Sequence, residues 1–204
     1  EISSLPVYES AVRVPVPYEP DAARGFSYCE EPSIVLLPDG RLFLVMRTAT
    51  GKIWYSVSDD HGITWRPTEP LLNRDDGSPM LNPESPSPIF ALNDGRFLLL
   101  LQNHDGHSYG GRGPRDFHAR RPQFMAVGEY RPDARQPVWF SRPELLFDTQ
   151  NIGVFPFYMK WLSMYASVTE VNAERILRYA DRKVIGLGRY ITDEMLAPLH
   201  AASA

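Results

Sequence analysis

Between Gln102 and Arg121 the chain gathers side chains that could do chemistry: His104, Asp105, His107 and His118, interleaved with Arg112, Arg115, Arg120 and Arg121. Imidazoles and carboxylates hold zinc when they recur at short fixed intervals and thiolates or further imidazoles complete a tetrahedron. The intervals here match no such pattern, so no metal is expected. Arginine offers a planar fork that fits carboxylates and phosphates. It far outnumbers lysine, which occurs only at Lys52, Lys160 and Lys183, although coding bias produces the same ratio. The segment reads as one long polar insertion, a kind of loop that often carries function.

The bulk properties exclude several classes. A net charge of −4 gives no reason to expect nucleic acid or an anionic membrane as partner. Hydrophobic content of 43% and charged content of 23% suit a soluble globular protein. With 204 residues there is room for one domain with a real core, or for part of a larger one. Cys29 is the sole cysteine, so no internal disulfide forms. The longest apolar run, Phe97 to Leu101, is far too short to cross a bilayer. The chain opens on "EISSLPVYES", with neither an initiating Met nor a signal pattern, and a truncated start is expected. The compartment stays open, with secretion or a periplasmic location compatible with a signal segment outside this sequence.

The elements that position these residues are strands. "PSIVLLPDGRLFLVMRT" (Pro32 to Thr48) is echoed by "PSPIFALNDGRFLLLLQN" (Pro86 to Asn103), and the turn glycines Gly40 and Gly95 are 55 residues apart. A weaker third copy runs from Ser167 to Arg182. Arg41, Arg96 and Arg175 end the three turns and are read as turn residues without a site role. Each copy is an apolar strand, a polar turn and a second strand, which makes a β-hairpin. After the first copy, Lys52 to Val57 reads as a third strand. "SVSDDHGITW" (Ser56 to Trp65) then turns the chain, and a fourth strand begins near Thr64 and Trp65. The Asp60 carboxylate suits such a turn, Gly62 supplies the unusual backbone angle, and Trp65 covers it. A four-stranded unit of roughly fifty residues is the size of one propeller blade. The predicted division is residues 1–25 as the end of a preceding blade, 26–80 as a blade, 81–150 as a blade with the long loop 102–121, and 151–204 as a last blade and tail. The fold class is all-β, with one turn of helix expected from Thr192.

Two sets of residues resemble the sialidase (neuraminidase) superfamily. Ser58, Asp60, Gly62, Thr64 and Trp65 match its Asp-box, S-x-D-x-G-x-T-W, a rim feature that speaks for fold rather than catalysis. "EEPSIVLLPDGRLFLVMR", Glu30 to Arg47, is similar to the pattern N-E-x-x-V-x-x-L-x-D-G-x-L-x-x-x-x-R, with Glu30 in place of the leading Asn. "RPQF", Arg121 to Phe124, is a loose counterpart of R-x-N-L, with Arg120 as the neighbouring alternative. "YASVT", Tyr165 to Thr169, is similar to the segment that carries the nucleophilic Tyr. The resemblance implies a six-bladed β-propeller, of which this chain supplies about three blades from the C-terminal half. It implies an exo-sialidase-like glycoside hydrolase that removes terminal sialic acid, or a related acidic sugar, with retention.

In that reading Tyr165 attacks, Glu31 activates it, Arg47 and Arg121 grip the substrate carboxylate, and no metal or organic cofactor is required. A neutral phenol avoids the repulsion that a carboxylate nucleophile would meet beside the sugar's own carboxylate. The partners implied are sialylated or other acidic glycans and the remaining N-terminal blades, and the long loop reads as glycan-contacting or solvated. The family's first Arg and its acid/base Asp match nothing here, so the 204 residues alone are expected to be inactive. Plainer readings stand beside each assignment: an Arg47 that reaches solvent from a strand end, an exposed Glu31, a half-buried strand Tyr165. The alternative function is a non-catalytic glycan-binding Asp-box propeller.

Overall fold

The computed structural model describes residues 29–154, 159–172 and 174–201, so the expected blade end at 1–25 lies outside the described residues. Three antiparallel sheets follow one another along the chain. The first comprises β1 (Cys29–Leu36), β2 (Leu42–Thr48), β3 (Trp54–Ser58) and β4 (Glu69–Pro70), in that order. The middle sheet runs β5 (Ile89–Ala91), β6 (Phe97–Leu101), β7 (Gln123–Tyr130) and β8 (Val138–Phe140), and β9 (Glu144–Phe147) also pairs with β7. The third holds β10 (Ser163–Val171), β11 (Glu174–Asp181) and β12 (Ile185–Tyr190).

The sequence repeat is also a repeat of hydrogen bonds. In the β1–β2 turn the Arg41 N–H donates to Asp39 Oδ1 at 3.1 Å, and its Nε donates to Asp39 Oδ2 at 2.5 Å. In the β5–β6 turn Arg96 makes the same two bonds to Asp94, each at 3.0 Å. Both turns place glycine at positive φ, +87° at Gly40 and +84° at Gly95, where a side chain would be disfavoured. Arg175 lies instead between Glu170 and Asp193 and ties the third hairpin to the helix α1 (Asp193–Leu196). Thr192 caps that helix and accepts a hydrogen bond from the Met195 N–H, as its sequence position predicts.

The Ser58–Trp65 turn closes on its own side chains. Asp60 Oδ1 accepts from the Ser58 hydroxyl and from the Thr64 N–H, both at 2.8 Å, while Oδ2 accepts from the Thr64 hydroxyl at 2.6 Å. The Thr64 hydroxyl and N–H hold the Asp60 carboxyl well down, at about 2. The third strand begins at Trp54 rather than Lys52, which makes an isolated bridge to Leu81. The fourth strand is later and shorter than expected. Thr64 is committed to the turn and Trp65 packs against Leu44, Met46 and Trp54, so pairing with β3 starts only at Glu69.

Two cores lie on either side of the middle sheet. Phe97, Leu99 and Leu101 pack with Val35, Phe43, Val45 and Val57 of the first sheet. Leu98 and Leu100 face the other way, toward Leu177 of the third sheet, Ile191 just after it and Leu196 of the helix. The run Phe97–Leu101 therefore has no polar alternation, because neither face meets water. Substitutions on the two faces should behave alike. Leu98→Ala and Leu99→Ala are each expected to destabilise the fold by about 3 kcal/mol in denaturant titrations. A strand buried on one face alone would show a near-neutral result at one of the two positions.

Candidate active site

Glu30 and Glu31 reach one arginine because the β1–β2 ladder is broken there. Glu30 pairs with Arg47 and Ser33 with Val45, so Glu31 and Pro32 together stand opposite the single residue Met46. This is a β-bulge, and proline suits it because the ladder requires no N–H at that point. Glu31 has φ of +51°, a conformation that side chains other than glycine and asparagine rarely adopt. The bulge turns the Glu31 carboxylate to the same side as Glu30. Arg47 Nη2 donates to Glu30 Oε2, and Arg47 Nη1 lies 3.1 Å from Glu31 Oε2.

Tyr165 comes from a second ladder irregularity. Ser163 pairs with Ala180 and Ser167 with Arg178, so Met164, Tyr165 and Ala166 stand opposite Tyr179 alone. The Tyr165 hydroxyl donates to Glu31 Oε1 at 2.7 Å, joining the third sheet to the first across 134 residues of sequence. That hydrogen bond, followed by burial and the Glu31 charge, pushes the phenol up from its ordinary value, while Arg47 and Arg120 pull it down. Tyr165 is 53% exposed, and the Lys183 ammonium lies 5.6 Å from the centre of its ring.

The neighbouring arginines separate. Arg121 is turned away from this cluster: its guanidinium forms a two-pronged ion pair with Asp148, at 2.9 and 2.6 Å, and lies 5.6 Å from the centre of the Tyr109 ring. Arg120 is the one whose charge acts on Tyr165 and Glu31. Burial pushes its guanidinium below the ordinary value, the Arg47 charge adds to this, and Tyr165, Glu84 and Glu31 oppose it. The peptide of Arg120 is held where Leu162 N–H donates to its carbonyl at 2.8 Å. Of the residues expected at one spot, Tyr165, Glu31 and Arg47 come together, and Arg120 stands where Arg121 was expected.

One member escaped the sequence reading. Glu84 lies in the segment between the first two sheets, and its carboxyl is pushed up by burial and then by the Glu30 charge, against the pull of Arg115, Arg47 and Arg120. The segment is pinned by the buried Asn82, whose amide donates to the carbonyls of Pro83 and Ser85 and whose Oδ1 accepts from the Gln102 N–H. Glu84 in turn donates its own N–H to the Pro114 carbonyl at 2.7 Å, fastening the long loop beside the cluster. The only sequence signal was a glutamate set among prolines, in "NPESPSP".

Among the described residues, four buried side-chain atoms at this spot make no hydrogen bond, and of these Glu31 Oε2 and Arg47 Nη1 face each other in the ion pair, which leaves Arg47 Nε and Arg120 Nε without a partner. Buried polar groups normally find partners, so unsatisfied donors on two neighbouring guanidiniums mark a place suited to an anionic ligand. The histidines of the loop have other partners. His104 is buried, its Nδ1 accepts from the Gly106 N–H, and its Nε2 therefore donates to the Arg121 carbonyl at 2.9 Å. His107 lies 3.3 Å from Asp105, and His118 meets Trp161 edge-on at 5.3 Å.

The BNR repeat-like domain model matches residues 16–170. Among curated proteins no sequence matches. Among solved structures, a mutant of the NanB sialidase from Streptococcus pneumoniae aligns with a TM-score of 0.54 at 19% identity, covering 81% of this chain and 23% of that one. The leech intramolecular trans-sialidase, complexed with 2,7-anhydro-Neu5Ac, aligns with a TM-score of 0.51 at 17% identity, covering 82% and 24%. The fold is that of the sialidase-like six-bladed β-propeller, with about three blades here. The chain spans about a quarter of the length of the sialidases it matches.

His104 gives the loop a pH signature. Burial pushes its imidazole below 6.5, so its contribution to stability is complete above pH 6.5 and is lost as pH falls from there through the folded value. His104→Gln is expected to lower the melting temperature at pH 7.5 and to flatten its decline between pH 7 and 5. Equal slopes in the two proteins would refute the assignment.

Proposed function

Since the chain belongs to the BNR repeat-like domain family and has the propeller fold of sialidases, we propose that the complete protein is an exo-sialidase-like glycoside hydrolase. It removes terminal sialic acid, or a related acidic sugar, from glycans with retention at the anomeric carbon. The observation that carries this reading is the 2.7 Å hydrogen bond from the Tyr165 hydroxyl to Glu31, beside Arg47 and Arg120.

In this mechanism the phenolic oxygen bonds to the anomeric carbon as the glycosidic bond breaks, and the phenolic proton passes to Glu31. Arg47 and Arg120 hold the sugar carboxylate through charge-assisted hydrogen bonds, for which Arg47 Nε and Arg120 Nε offer unpaired donors. Arg121 then acts by positioning, since its ion pair with Asp148 fixes the strand entry that carries Arg120. The proton for the departing sugar oxygen is assigned to an acid in the remaining blades, because no position here matches the family's acid/base aspartate. The Ser58–Trp65 turn is read as a structural Asp-box that fastens β3 to β4.

In the complete protein, Tyr165→Phe is expected to lower turnover of a sialoside by about a thousand-fold or more, with sugar binding retained. Arg47→Lys is expected to raise KM about ten-fold, because a point charge replaces a fork. Full turnover by Tyr165→Phe would overturn the nucleophile assignment. A wild-type protein that binds a sialoside without hydrolysing it would favour the glycan-binding propeller instead.

A further inference from the structure

Glu30 stands where the sialidase pattern has asparagine, and the structure places that extra carboxylate on the proposed substrate clamp. Glu30 pairs with Arg47 across the β1–β2 ladder, and its Oε2 accepts from Arg47 Nη2. The two partners differ in freedom. The Arg47 side chain is 12% exposed and is also drawn toward Glu31, whereas the Glu30 side chain is 45% exposed and sits at the rim. An asparagine here would bring a neutral amide and leave Nη2 open to an incoming anion.

The surroundings of Glu30 favour its departure. Glu84 approaches from the segment between the first two sheets, and the Glu30 charge is among the causes that push the Glu84 carboxyl up. Glu31 follows it in sequence and ion-pairs with the same guanidinium. Among the described residues, Glu30 therefore has one ion-pair partner, Arg47, and two neighbouring carboxylates. Glu84 has a further counter-charge in Arg115, whose Nε is 3.8 Å from its Oε2.

We propose that Glu30 is a built-in competitor: its carboxylate takes the place on Arg47 that a substrate carboxylate would take, and an acidic sugar binds by displacing it toward solvent. The inference rests on Arg47 being the carboxylate clamp proposed above. Its consequence is specificity. Binding an acidic sugar breaks an existing ion pair, so affinity is lower and release faster than at a site with asparagine. A sugar without a carboxylate makes no use of Arg47 Nη2 and is not affected by Glu30.

The test measures the affinity of the complete protein for N-acetylneuraminic acid and for its methyl ester, whose carboxyl is uncharged, by titration calorimetry. Glu30→Gln and Glu30→Asn are compared with wild type. Loss of an ion pair exposed on one side corresponds to a gain of about five- to ten-fold in affinity for the acid, with ester binding unchanged, and this is expected in both variants. If wild type prefers acid to ester and neither variant binds the acid more tightly, Glu30 is no competitor while the Arg47 clamp stands. If no form of the protein distinguishes acid from ester, the clamp reading fails and the competitor with it.

Discussion

The site depends on a stacking constraint set by five consecutive apolar residues. Phe97–Leu101 is buried on both faces, so β6 fixes the first sheet on one side and the third on the other. Glu31 belongs to the first sheet and Tyr165 to the third, and their hydrogen bond forms only if both packings hold the sheets at the right separation. Burial of non-polar surface supplies this without directional bonds, and close packing makes it rigid. The outward faces of the stack differ: Ile34 and Leu36 on β1, and Ile185, Leu187 and Tyr190 on β12, are exposed. In a closed propeller such faces are covered by neighbouring blades, which agrees with a chain spanning about a quarter of the sialidases it matches.

Within that frame, both residues of the Tyr165–Glu31 pair are delivered by departures from regular pairing. A regular β1 would send Glu30 and Glu31 to opposite faces, and only one could meet Arg47. The bulge at Glu31–Pro32 brings both carboxylates to the same guanidinium, at the cost of a left-handed glutamate, about 1 kcal/mol or more. Tyr165 projects from a wider break in β10. Regular ladders supply stability on either side, and the irregular residues supply direction.

How much of this could be read from the sequence depended on whether the determinant was local. The Asp39–Arg41 and Asp94–Arg96 turns, the Ser58–Trp65 turn and the Thr192 cap are closed by atoms within a few residues, and their spacing was legible. The limits of the long loop were legible too, because β6 ends at Leu101 and β7 begins at Gln123. The two-residue β4 was not, since it depends on where Trp65 packs. The motif around Arg121 fixed a position to within one residue, but adjacent residues point to opposite sides. Asp148, distant in sequence, takes Arg121 and leaves Arg120 to the cluster. Glu84 carried no periodic or motif signal. Its place follows from the Asn82 network and from the loop that docks over it.

The same electrostatics constrain the order of events in the proposed chemistry. Glu31 keeps the phenol of Tyr165 protonated, and the positive charges of Arg47 and Arg120 counter this only in part. An acidic sugar that binds those arginines neutralises the very charges that favour a phenolate. Tyr165 therefore becomes harder to ionise once substrate is present, which disfavours a free phenolate formed in advance. In the proposed mechanism, proton transfer to Glu31 accompanies formation of the bond to carbon. The geometry is suited to that, because Arg47 Nη1 lies against Glu31 Oε2 while Oε1 faces the Tyr165 hydroxyl. One oxygen is held by the cation and orients the carboxylate, and the other is left to receive the proton.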